Sequence, residues 1–139
     1  MTKPTHTRTI FISDIHIPYQ DVRALSLALE IIKDFKLNEE DNIIIAGDLV
    51  DFYPFSTFPV DLLQSSIETE IEQAKSFLSD LRKVAKSPTI YYFKGNHEER
   101  LQKMVLTKLQ AMSQMLYNQL SLWALLDLEK FNIKYVESP

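Results

Sequence analysis

Cysteine is absent from the 139 residues, which excludes disulfides, thiolate metal sites and a cysteine nucleophile together. No stretch approaches the roughly 20 apolar residues that span a bilayer. The polar start from Met1 to Thr9 lacks the apolar run of a secretory signal. These absences read as a cytoplasmic chain. Basic charge is also in short supply: the formal net charge is −4, and Lys and Arg are scattered among acids, so capture of a nucleic-acid backbone is not indicated. Any anionic substrate would need positive charge from another source, and a bound cation can supply it.

Glycine is the most informative scarcity. Only two occur, where an average chain of this length has about ten. Gly47 and Gly95 each follow an apolar run and directly precede a polar motif. A chain leaving a strand there must turn sharply, often with a positive φ that other residues resist.

What is present suits one compact domain: 45% of residues are hydrophobic and 24% charged. Repeats, low-complexity tracts and linkers are not visible, and residues 1–8 read as a flexible polar leader to a single domain over 1–139. Short β-branched runs alternate with longer amphipathic ones, the pattern of βαβ units and a mainly parallel sheet. Strands are expected over Thr9–Ser13, Asn42–Ala46, Thr89–Phe93 and Ile133–Val136, the first three apolar enough to be buried on both faces. Val22, Leu25, Leu29, Ile32 and Phe35 place one stripe on a helix from about Asp21 to Lys36. Ile67, Ile71, Ala74, Leu78, Leu81 and Ala85 do the same for a second helix, with Ser65 and Glu68 as its capping box. Helical spacing resumes from Leu101 to Trp123, a span expected to hold two helices with a bend near Ser113 or Ser121.

A polar motif follows each of the first three strands: Asp14-Ile15-His16, Gly47-Asp48-Leu49-Val50-Asp51 and Gly95-Asn96-His97-Glu98. Ligands of open parallel sheets bind beyond the carboxyl ends of the strands, where all three motifs would converge. On an extended strand end, residues two apart point to one side, so Asp14 and His16 can share a cation. A carboxylate with an imidazole suits Mn, Fe or Zn, and Mg less well. Asp48 is placed to bridge to a second cation, to which Asn96 can offer its amide oxygen. Two such ions about 3.5–4 Å apart would clamp a phosphoryl oxygen and acidify a water. His97 is the candidate proton donor to a departing alkoxide, and Asp51 the candidate for orienting its imidazole.

In this order the motifs resemble those of the calcineurin-like metallophosphoesterases. The stretches from Gly47 to Tyr53 and from Gly95 to Arg100 look like the phage and bacterial branch. The resemblance runs from Ile10 to Val136, with the motif residues Asp14, Asp48 and Asn96 spaced 34 and 48 residues apart. It implies hydrolysis of a phosphomonoester or phosphodiester by metal-activated water, with divalent ions, Mn foremost, two in the complete site. It also implies a four-layer α/β/β/α sandwich of which this α/β chain is the first half, and further metal-binding histidines downstream, yet no histidine follows His97. The chain is therefore expected either to work as a phosphoesterase or to be a catalytically incomplete remnant that binds at most one metal. In both cases an apolar sheet face without its second layer should drive self-association or capture of a chain supplying the missing half.

Several residues keep two readings. Arg100, with Asn96, is a candidate for holding a substrate phosphate, or it pairs with Glu98 or Glu99. Phe52, Tyr53, Phe55 and Phe58 form a wall for an aromatic or nucleoside leaving group, or they cover the end of the core. Glu98 and Glu99 suit the positive first turn of a helix without any catalytic role. Met104, Met112 and Met115 read as core filling, Trp123 as core or as a residue facing the absent sheet, and His6 as a solvent-exposed residue outside the site.

Overall fold

A computed structural model describes residues 6–56, 66–108 and 112–137. Four strands, β1 (Thr9–Ile12), β2 (Asn42–Ala46), β3 (Thr89–Phe93) and β4 (Ile133–Val136), form one sheet in the order β1-β2-β3-β4, every neighbour parallel. Between them lie α1 (Val22–Asp34), a 3-10 turn (Tyr53–Phe55), α2 (Ile67–Val84), α3 (Glu98–Lys108), α4 (Ser113–Leu116) and α5 (Leu122–Leu125). This is an α/β fold of parallel strands with helical crossovers, as the alternating pattern predicts.

Local chemistry sets the boundaries. Asp21 caps α1 by accepting from the Arg23 and Ala24 N–H groups at 2.9 and 3.2 Å, which satisfies donors a helix start leaves orphaned. The cap of α2 is Ser66, whose hydroxyl accepts from Thr69 N–H at 3.2 Å; Ser65 lies outside the described residues. The span after His97 divides further than expected, with Ser113 opening α4 and Ser121 at the N-cap of α5. Arg8, read as part of a flexible leader, is held by Asp41: Nη2 meets Oδ2 at 2.6 Å and the backbone N–H meets Oδ1 at 2.9 Å.

The expectation that the strands are buried on both faces does not hold. In a sheet whose strands follow chain order, crossovers of one hand return every helix to the same side. Ile43, Ile45, Ile90, Tyr92 and Ile133 pack there against Ile32, Ala74, Phe77, Leu78, Leu81, Leu101 and Val105. The alternate residues face away. Phe11 is 68% exposed and Phe93 37%, while Ile44, Tyr91 and Val136 are half-buried. Among the described residues no element covers this second, apolar sheet face.

Among the methionines of the described residues, Met104 packs against the core, whereas Met112 and Met115 are exposed, and so in large part is Trp123. Helical spacing marks a stripe but not whether another element lies over it. Trp123 instead lines a pocket of about 150 Å³ with Leu101, Val105, Tyr117 and Tyr135. Phe52 is fully buried and stacks on Phe55 with ring centres 6.2 Å apart, so these two rings cover the core end; Phe58 lies outside the described residues. His6 is exposed.

Candidate metal centre

The three polar motifs leave the sheet at one end. Parallel-type hydrogen bonding continues past the first two strands: His16 N–H donates to Asp48 O at 2.9 Å, Ile17 N–H to Leu49 O at 2.9 Å, and Asp51 N–H to Ile17 O at 2.9 Å. These bonds, with Ile15, Ile17, Leu49 and Val50 buried beneath, press the loops together and leave the intervening polar side chains at the surface of the crevice.

The backbone there is not extended. Asp14, His16 and Asp48 have φ of 55°, 52° and 53°, a left-handed conformation that L residues adopt only when surroundings impose it. The Asp14–His16 pairing thus arises from two left-handed residues and not from the two-residue period of a strand, which ends at Ile12. Asp14 Oδ1 lies 3.9 Å from His16 Nε2. Donors about 2.0–2.2 Å from one transition-metal ion stand at most about 4.4 Å apart, so that separation is compatible with a shared cation.

His16, Asp48 and His97 each present a ligand atom within 4.8 Å of the other two. The imidazoles of His16 and His97 meet edge to face, ring centres 4.4 Å apart. Asn96 is exposed beside them, on the loop between Gly95 and His97. A set of imidazole nitrogens and carboxylate oxygens is the chemistry that a borderline divalent ion prefers, and the residues present fit such an ion.

Behind these donors sits Asp51. Its Oδ2 is 3.3 Å from His16 Nδ1 and 3.2 Å from His97 Nδ1, and its backbone carbonyl is 3.0 Å from His97 Nδ1. The contact with His16 was not anticipated from the sequence. Arg100 does not pair with Glu98 or Glu99: Nη1 reaches Asp51 O at 3.0 Å and Oδ1 at 3.3 Å, and Nη2 stands 3.1 Å from His97 Nε2. A guanidinium has no acceptor, so His97 Nε2 accepts from Arg100 in this arrangement and Nδ1–H donates toward Asp51. Glu99 instead pairs with Lys103 at 3.2 Å.

Glu98 departs furthest from its sequence reading. It does more than sit in the first turn of α3: it is 1% exposed, and its carboxylate crosses to the loop after β2. Oε1 accepts from Leu49 N–H (2.8 Å), Val50 N–H (3.1 Å) and Tyr92 O–H (2.8 Å). Oε2 accepts from Asp48 N–H and Gly95 N–H, both at 2.9 Å. Burial and the neighbouring carboxylate push the Tyr92 phenol well above its ordinary range, which keeps it a donor. In return, Asp48 Oδ1 accepts from His97 N–H at 2.9 Å.

The sequence profile of the calcineurin-like phosphoesterases matches residues 7–137. The chain belongs to that family. Comparison with curated proteins and with solved structures yields no match. For a calcineurin-like phosphoesterase, convergence of His16, Asp48 and His97 at the carboxyl ends of parallel strands agrees with the divalent-metal chemistry that the family implies.

Proposed function

We propose that this chain is a metal-dependent phosphoesterase domain in which Asp14, His16, Asp48 and Asn96 hold divalent cations, Mn foremost, and His97 supplies the proton to the leaving group. The supporting observation is the meeting of His16, Asp48 and His97 within 4.8 Å beside Asp14. When bound, such ions polarise a phosphoryl oxygen and make a water nucleophilic near neutral pH. The chain's own groups do the rest. Asp51 holds the His97 ring through Nδ1, so that only Nε2 faces outward. A phosphate attracts a guanidinium more strongly than a neutral imidazole does, so a phosphoester in the crevice draws Arg100 away and frees Nε2. Once freed, Nε2 takes up a proton from solvent, and the imidazolium stays held by Asp51 through Nδ1–H. As the water oxygen bonds to phosphorus and releases its own proton to solvent, the P–O bond to the leaving group breaks and the Nε2 proton passes to the departing oxygen.

The reading is tested with Mn and a chromogenic phosphodiester, with His97→Ala as the control. Turnover abolished by that substitution supports it. Equal turnover in both proteins would exclude the proton-donor role.

A second reading rests on a separate observation, the open sheet face bearing Phe11, Ile44, Tyr91 and Phe93. Here the chain binds one metal or none and acts by association with another chain. No turnover in either protein, with a dimer or larger species in solution, supports this alternative.

A further inference from the structure

Of the three loops that carry the proposed ligands, those after β1 and β2 are tied by backbone hydrogen bonds from His16 and Ile17 to Asp48 and Leu49. The ladder between β2 and β3, by contrast, ends at Ala46 and Phe93, short of Asp48 and Asn96 on the loops that follow these two strands. They are joined by a reciprocal exchange. The Asp48 side chain accepts from the backbone of His97, and the Glu98 side chain accepts from the backbones of Asp48, Leu49, Val50 and Gly95. Among the described residues no basic side chain forms an ion pair with Glu98, so its charge is balanced by five neutral donors. An isolated buried carboxylate is costly. It persists where several N–H groups are aimed at it, each such charge-assisted bond being roughly twice as strong as a neutral one.

We infer that Glu98 is a positioning residue for the metal centre: its carboxylate ties the two ligand loops together and holds Asp48 in the left-handed conformation that turns its side chain toward His16 and His97. The inference rests on the metal-centre reading given above. Asp48 at φ 53° is in a strained region that an L residue keeps only where its surroundings over-determine it. The surroundings here are the Glu98 bond to its N–H, the His97 N–H bond to its carboxylate and the His16 N–H bond to its carbonyl. Removing the first takes away the partner of the Asp48 backbone nitrogen, the atom next to the left-handed φ.

Glu98→Gln keeps the shape but turns one acceptor oxygen into an NH2 group, which then confronts either the Leu49 and Val50 N–H groups or those of Asp48 and Gly95. Two measurements on the full chain separate this inference from the reading beneath it. The first uses no metal: amide hydrogen exchange at Asp48, Leu49, Val50 and Gly95. These four amides lie outside the strand ladders, yet they should exchange slowly in the parent, and at least about tenfold faster in Glu98→Gln, with Ile43 and Ile45 in β2 unchanged. The second is Mn affinity, read by titration, which should fall by about 10- to 100-fold, as for other groups that orient metal ligands. Equal exchange rates in the two proteins overturn the inference. A parent that binds no Mn overturns the metal reading instead, and the exchange rates still decide the role of Glu98. Should Glu98→Gln not fold, Tyr92→Phe removes one donor and leaves the carboxylate. Exchange at Leu49 and Val50 about threefold faster supports the inference, and unchanged exchange there overturns it.

Discussion

Gly47 and Gly95 stand back to back where two loops of the candidate metal centre cross. A Cβ on Gly47 would lie 2.6 Å from Gly95 Cα and 2.8 Å from its nitrogen, and a Cβ on Gly95 would run into the carboxylate and backbone nitrogen of Asp48. Both glycines of the chain therefore serve one contact, where the loop after β2 crosses the loop after β3. Only Gly47 needs its conformational freedom, at φ +90°; Gly95 is needed for close approach.

The two positions should fail differently. Gly47→Ala combines an unfavourable φ with a backbone collision, and should destabilise the fold by at least about 1 kcal/mol, a melting point lower by roughly 3 °C or more. Gly95→Ala displaces the Asp48 carboxylate directly, so Mn affinity should fall more than stability does. Thermal unfolding and metal titration of both variants check this; a Gly95→Ala protein with parental Mn affinity would contradict the placement of Asp48.

Asp51 faces two imidazoles through one oxygen, Oδ2. Carboxylates behind metal-binding histidines fix ring orientation and basicity, and their removal costs about 10- to 100-fold in affinity or activity. Asp51→Ala should therefore lower both Mn affinity, through His16, and turnover, through His97. Unchanged metal affinity together with unchanged turnover would rule out an orienting role.

Arg100 donates to Asp51 and stands against His97 Nε2. Arg100→Ala should raise KM for a phosphoester by about tenfold or more, the loss of one charge-assisted hydrogen bond, while Mn affinity changes little. Arg100→Lys restores charge without the planar fork and should recover only part of the loss. Steady-state kinetics of the two variants check both statements.

Much of the fold was legible because periodicity reports local geometry. The apolar runs at 42–46, 89–93 and 133–136 are the strands observed, and the stripe from Val22 to Ile32 lies on α1, with Phe35 at its C-cap. What escaped depends on partners distant in sequence. An apolar run such as Asn42–Ala46 says that a strand forms, not how many layers cover it, and one of its faces is open. Asp14 and His16 were paired by strand alternation, but a short polar motif carries no signal for left-handed φ at non-glycine residues. Glu98 was read from its helix position alone because its five donors come from residues between 3 and 50 positions away in the chain. The nearest signal was its place next to His97, three residues after one of the two glycines.

Asp41 gives the fold an acid limit. It is fully buried, and the Arg8 guanidinium, with the Asn38 and Arg8 backbone N–H groups, holds its carboxyl well below the ordinary 3.8. A folded-state value below the unfolded one means that this contribution is complete above about pH 4 and is lost as pH falls below it. Arg8 also donates to the carbonyl of Phe35 at 2.9 Å, so the same network fixes the end of α1 against the start of β1. Asp41→Asn should lower the melting point at pH 7 and flatten its fall between pH 4 and pH 2; an unaltered acid limb would show that other carboxylates govern it.

The open sheet face leads to the last expectation. Phe11 is 68% exposed on the edge strand β1, in line with half-buried Ile44 and Tyr91 on β2 and β3 through the register Phe11↔Ile44 and Ile44↔Tyr91. Contiguous apolar surface of this kind is uncommon on monomers and marks association. We expect a second copy of the chain to cover it at high concentration. Phe11→Lys puts a charge at the edge of the face, which opposes pairing there, while the exposed side chain contributes little to the fold, within about 0.5 kcal/mol. Solution scattering should thus show the parent shifting to a larger species as concentration rises and Phe11→Lys remaining smaller, with nearly equal melting points at low concentration. A parent that stays a monodisperse monomer throughout would remove association through this face as an explanation for its apolar character.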